Sequence, residues 1–209
     1  MGMKMLLTSK VSLSYESSSG MTILHYLSRV ASKSCEGIEF VIDRLSQLDK
    51  TSLKENLKRV DVNGFEFILY FVRDFTCEVI TNFQSSVQRG VSLVLQTTGL
   101  PPTQQQSIEI HKAAFSEFSR HEELFIKLVC FLMEQGCDAN VQVVDKRKDD
   151  DQESLKKWGI QHFLMKFPSL KLLSLFRRKI RDFNSQNNSG MTALHLFCSL
   201  IRKGNLFGS

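Results

Sequence analysis

Five cysteines and five histidines are the side chains in this 209-residue sequence that could supply a nucleophile and a base. A thiolate beside an imidazole is the activated pair that thiol-dependent acyl transfer requires. The cysteines, Cys35, Cys77, Cys130, Cys137 and Cys198, are odd in number and contain no CxxC pair, which fits a reducing compartment and argues against structural zinc. Cys130, Cys137 and Cys198 fall on or beside stretches of helical apolar spacing, where free Cys behaves as a small buried apolar group. The run Asp149, Asp150, Asp151 lacks the alternating D-x-D-x-D-G spacing that wraps oxygens around calcium, and Lys146, Arg147 and Lys148 flank it. Arg177, Arg178, Lys179 and Arg181 could meet phosphate, but they stand at the end of an expected helix, where the macrodipole favours cations. There is no phosphate-cradling Gly-rich loop and no G-x-S-x-G elbow. The reading is therefore no enzyme, no cofactor and no metal.

The elements that would carry these residues are helices. Three Pro and eleven Gly, beside sixteen Phe and a 42% hydrophobic content, favour helices packed through an apolar face, so the expected fold class is all-α. A net charge of +5 comes from 27 basic and 22 acidic residues spread along the chain, which gives no concentrated footprint for nucleic acid. The longest apolar run, Leu124 to Met133, is interrupted by Lys127 and is about half the roughly 20 residues that span a bilayer, so no membrane span is expected. The opening MGMKMLL has neither the apolar length nor the cleavage site of a secretory signal, and Leu6 stands where myristoylation wants Ser or Thr. The expected location is cytoplasmic.

Apolar periodicity predicts helices over Thr22 to Ala31 and over Gly37 to Leu48, the second through Ile38, Val41, Ile42 and Leu45. DKTSLKENLK adds a further helical turn. Another helix is expected within Thr76 to Leu95, stopped by Gly99, Pro101 and Pro102. Glu122 to Gln135 carries Leu124, Leu128, Phe131 and Leu132 on one face and ends at Gly136. Ser169 caps Leu170 to Arg178, and a last helix lies within Asn187 to Ile201. Residues 142–154 mix both charge signs without apolar periodicity and read as a solvated loop that tolerates deletion.

One pattern occurs twice. SSSGMTILHYL at Ser17 to Leu27 returns as NNSGMTALHLF at Asn187 to Phe197. Ser or Asn before Gly favours a tight turn, Gly accepts positive φ, and Thr two residues on can cap the next helix. The pattern G-x-T-x-L-H resembles the opening of an ankyrin repeat, a turn followed by two antiparallel helices. IHKAA at Ile110 to Ala114, GCDAN at Gly136 to Asn140 and DFNSQN at Asp182 to Asn187 are similar to other parts of that unit. The resemblance implies a right-handed solenoid in one array, with units at about 17–60, 61–102, 103–141, 155–186 and 187–209, the last incomplete. In the second unit Glu66 and Leu69 replace the signature Thr and His. The signature position then falls at His25, Leu69, His111, Leu164 and His195, and only the last interval approaches the 33 residues of a standard unit.

What the resemblance implies is a protein-binding module that catalyses nothing, with its histidines structural. Its partner surface would be the turn tips and first helices. In this sequence that means Ser18, Ser19, Met21, Arg29, Val62, Asn63, Phe65, Arg73, Trp158, Ile160, Asn188, Ser189 and Met191, with Trp158 foremost because Trp is enriched at interface hot spots. Degenerate, insertion-rich arrays of this kind look like effectors of intracellular bacteria or proteins of large DNA viruses, which would place the chain in host cytoplasm. Two alternatives are a regulatory region of a larger enzyme and a helical-repeat binder of nucleic acid. An apolar last unit, lacking a second helix, would also permit self-association.

Overall fold

Turns and capping side chains set where each helix begins. In the computed structural model, which describes residues 15–143, 157–165 and 169–202, Thr22 is the N-cap of α1, Ile23–Ala31. Ser34 caps α2, Cys35–Ser46, its hydroxyl accepting from the Gly37 N–H at 3.1 Å. Asp49 caps α3, Lys50–Leu57, accepting from Ser52 N–H at 2.8 Å, so the DKTSLKENLK segment is a helix of its own. α4 runs Phe67–Thr98 and α5 runs Gln104–Glu134. α6 is Ile160–Leu164, α7 is Leu170–Arg177 behind the Ser169 cap, and α8 is Ala193–Arg202. The protein is mostly helical, and among the described residues there is no strand, only isolated bridges such as Glu16 with Thr22 and Val60 with Glu66. No helix among the described residues is long and apolar enough to cross a membrane.

The middle of the chain differs from the expectation. Residues 61–102 and 103–141, each expected to hold a turn and two helices, hold one long helix apiece. Nothing between Phe67 and Thr98 breaks a helix except Gly90, and that residue serves packing: a Cβ there would come within 2.7 Å of the Ile110 side chain. Gly99, at φ +69°, ends α4 with its N–H on the Leu95 carbonyl, and Thr103 with Gln106 forms a reciprocal cap for α5. IHKAA is consequently mid-helix and opens no unit. His111 is exposed, and its Nδ1 lies 2.7 Å from the Ser107 carbonyl of the same helix.

The core is built on the first turns of α4. Phe67 through Val72 are all buried, as a helix enclosed by neighbours must be. Phe125 of α5 stacks on Phe71 at 4.7 Å and on Phe75 at 3.7 Å between centroids. The helices that follow a turn lie side by side in chain order: α1 against α4, α4 against α6, α6 against α8. α2 packs on α1 and on α5, and α7 on α6. From Thr81 to Ala113 no described side chain is buried, so the distal halves of α4 and α5 stand off the core as a helical hairpin. The charged run Asp149 to Asp151 and the rest of 144–156, together with Pro168 and residues 203–209, lie outside the described residues.

Candidate protein-binding surface

Four turns close with the same backbone hydrogen bonds. Ser17 N–H donates to the Met21 carbonyl at 3.0 Å and Gly20 N–H to the Ser17 carbonyl at 2.9 Å. Asp61, Gly64 and Phe65 repeat the pair at 3.0 and 3.1 Å, and Asn187, Gly190 and Met191 repeat it at 3.0 Å twice. The glycines have φ +68°, +76° and +70°, the left-handed region that a Cβ disfavours. In the first, second and last turns the opening side chain folds inward as an acceptor. Ser17 Oγ takes the Met21 N–H, Asp61 Oδ1 takes those of Asn63 and Phe65, and Asn187 Oδ1 takes those of Ser189 and Met191.

The third turn spans the charged segment. Val143 N–H donates to the Trp158 carbonyl at 2.9 Å, and Lys157 N–H donates to the Val143 carbonyl at 3.0 Å. Lys157 therefore occupies the glycine position, at φ +61°, and thirteen residues, 144–156, separate it from Val143 in sequence where two separate Ser17 from Gly20. Gly159 is the N-cap, and its N–H donates to Nδ1 of His162 at 3.0 Å. Thr22 with His25 and Thr192 with His195 do the same, at 3.0 and 3.4 Å. The signature position of this turn is His162, where the sequence pointed to Leu164.

Neighbouring turns are fastened to each other. The Val62 N–H donates to the Ser19 carbonyl at 3.0 Å, and a Cβ on Gly20 would press on the backbone of Asp61 and Val62. Arg59 pairs with Glu16 across the same junction. Asn140, shortly before the third turn, holds the segment that follows α7 and leads to the fourth, accepting from Arg181 N–H at 2.7 Å and donating to the Lys179 carbonyl at 3.2 Å. The imidazoles run beneath. With Nδ1 of His25 accepting from Thr22, the proton sits on Nε2, which donates to the Phe65 carbonyl at 3.1 Å. Burial holds His25 below the ordinary imidazole range, against the opposing effect of that carbonyl and Asp61. It does the same at His162, where the Met191 backbone opposes it, although His162 Nε2 closes no hydrogen bond of ordinary geometry.

Of the expected surface, Ser18, Val62, Asn188 and Ser189 are exposed at the tips, with Ser19 and Asn63 half-buried beside them. Arg29 is exposed on α1. Met21, Trp158 and Met191 occupy equivalent half-buried places in their turns, Trp158 with its ring 5.4 Å from Phe163 and 5.7 Å from His162. Phe65 and Ile160 do not belong to the surface: they are 4% and 0% exposed. Phe65 turns inward onto Tyr70 and Phe163, and Ile160 is the first residue of a helix buried along its whole length. Arg73 lies over the rings of Phe65 and Tyr70 and pairs with Asp74, so it covers the core edge.

Cys35 and His121 line one cleft of about 680 Å³ between the start of α2 and the hairpin base, together with Lys33, Glu117 and Arg120. Burial pushes the Cys35 thiol up, away from the thiolate that a nucleophile must be, and pushes Cys137 up to about 12. Among the described residues no three His, Cys, Asp or Glu side chains gather as a metal site. Arg177, Arg178, Lys179 and Arg181 are exposed at the end of α7, where two of them lend backbone groups to Asn140. Sequence reasoning overlooked the hairpin and its exposed Leu93, Leu95, Leu100, Ile108 and Phe115. The signal was present, since no residue from Gly90 to Ile108 carries a formal charge. No protein-family model, curated protein or solved structure matches this chain.

Proposed function

We propose that the chain is a divergent ankyrin-type array that binds another protein through its turn tips and catalyses nothing. The observation that carries this reading is the recurrence of one backbone turn geometry four times, with a histidine capping the helix that follows in three of them and buried in two, His25 and His162. The interval from His162 to His195 equals the roughly 33 residues of a standard unit, which further supports it. On this reading the 61–141 stretch is a single unit, α4 being its first helix and the end of α5 its second, with the distal hairpin inserted between them. Residues 144–156 are a second insertion in the sequence. The first two tips, joined by the Val62 N–H on the Ser19 carbonyl, form a ledge whose fixed backbone lowers the ordering cost of binding.

The test compares capture of proteins from a native lysate by the wild type and by a tip variant, Ser18→Glu with Val62→Glu and Asn188→Lys, matched in melting temperature. Loss of the captured protein supports the ledge as the binding surface. Unchanged capture by the tip variant overturns it.

A further inference from the structure

We infer that the helical hairpin formed by the distal halves of α4 and α5 is a homodimerisation element that pairs with the hairpin of a second copy of this chain. It goes beyond the turn-tip reading and uses a different face. The hairpin carries a shallow groove lined by Phe83, Ile108, His111 and Phe115, with Val91 and Leu95 one turn apart on α4. Phe115 is 60% exposed, Leu95 50% and Ile108 42%, levels at which an isolated helix pair leaves its apolar side unpartnered.

Charge decides the occupant. The chain carries +5, so two copies repel over most of their surface. The stretch Gly90 to Ile108 has no charged side chain, and its polar residues are Ser, Thr and Gln, which both donate and accept. Lys112 is the one Lys, Arg, Asp or Glu that lines the groove, so pairing with a second copy about a two-fold axis desolvates little charge, whereas a highly charged partner would lose hydration without a counter-ion. Size permits it: a face two helices or about 20 Å wide and roughly 27 Å long buries on the order of 1,100 Å² over both copies, just above the roughly 1,000 Å² that a specific interface needs. Lys112, at the groove edge, keeps its ammonium in water while its stem packs.

Sedimentation of the full chain from micromolar to millimolar concentration tests this, with Ile108→Glu and a neutral pair, Leu95→Gln with Phe115→Gln, as hairpin variants. Leu194→Glu on α8, whose native side chain is 67% exposed, serves as the control for a different apolar face. The expected result is a wild-type dimer that both hairpin variants weaken by at least about thirtyfold and the control leaves unchanged. All these positions are exposed, so helical content and melting temperature should match the wild type. A wild type that stays monomeric overturns the inference. So does a dimer lost in Leu194→Glu and kept in the hairpin variants, or a monomer whose hairpin binds neutral phosphatidylcholine vesicles.

Discussion

Nε2 of His25 donates to the carbonyl oxygen of Phe65, 40 residues further along the chain and in the next turn. The same ring accepts from Thr22 N–H, so one buried imidazole fixes the start of α1 and the position of α4 together. His25→Leu leaves the Thr22 N–H and the Phe65 carbonyl without partners and is expected to destabilise by about 2–3 kcal/mol in urea denaturation. His195→Leu breaks the local half of this arrangement on an exposed ring, and the expected loss there is below about 0.5 kcal/mol. Equal losses at the two sites would contradict the cross-turn role.

Thr22 is fully buried, with its Oγ1 2.9 Å from His25 Nδ1, whereas Thr192 is half-buried above an exposed histidine. Thr22→Ala should cost about 1 kcal/mol and Thr192→Ala less. Thermal melts followed by circular dichroism distinguish the two, and an unchanged Thr22→Ala would remove the hydroxyl from the capping account.

Acid should destabilise the protein at pH values above the ordinary carboxylate range. Burial lowers His25, His121 and His162 below 6.5 in the folded state, so the stability they contribute is complete above that value. It is lost as pH falls through their folded values, at up to about 1.4 kcal/mol per pH unit for each histidine. Glu66 works the other way. Burial and the nearby Asp138 raise it from 4.5 to about 7, so its contribution is complete below 4.5 and is lost as pH rises through 7. Stability measured from pH 7.5 to 5 should fall, and Glu66→Gln should steepen the fall. A flat profile in both proteins would exclude the buried neutral histidines.

The ends of the chain were legible because SSSGMT and NNSGMT keep every atom the turn needs: an acceptor side chain, a glycine and a capping threonine. The helix class followed from composition, and the stops at Gly99, Pro101 and Pro102 from backbone chemistry. The middle was not legible for two physical reasons. IHKAA imitates a unit opening, but without a turn residue before it the chain simply continues as α5, and local helix propensity is indifferent to the copy. In the third turn the glycine position is held by Lys157, far in sequence from Val143, so no short motif survives to be read. Phe65 looked like a tip residue by its place in the pattern. Its size fills the gap between Tyr70 and Phe163, which only the packing reveals.

Lys157 at φ +61° occupies the place where the other three turns have glycine. An L side chain in that region costs about 1–2 kcal/mol, partly offset by the greater chain entropy of glycine when unfolded. Lys157→Gly is expected to raise stability by about 0.5–1 kcal/mol, read as a higher urea midpoint at unchanged slope. Gly64→Ala, at φ +76°, should lower it by a similar amount or more.

The same turn predicts what its insertion contributes. Val143 and Trp158 are joined by one backbone hydrogen bond and Val143 and Lys157 by another, so the ends of 144–156 already hold the spacing that the first turn bridges with Ser18 and Ser19. Replacing 144–156 by Ser-Ser should let the turn close as it does at Ser17 to Gly20. The fold should persist, because α6 is held by Ile160, Phe163 and Leu164, which are buried in the common core. Shorter loops also close at lower entropic cost, about 1–2 kcal/mol for this change, so the melting temperature should rise. The variant is checked by thermal melting and by tryptophan fluorescence, since Trp158, the single tryptophan, sits beside the junction. Loss of cooperative unfolding, or a shift of the Trp158 emission to that of water-exposed indole, would show that 144–156 contributes to the turn itself. Intact folding combined with lost protein capture would instead assign the insertion to the binding ledge.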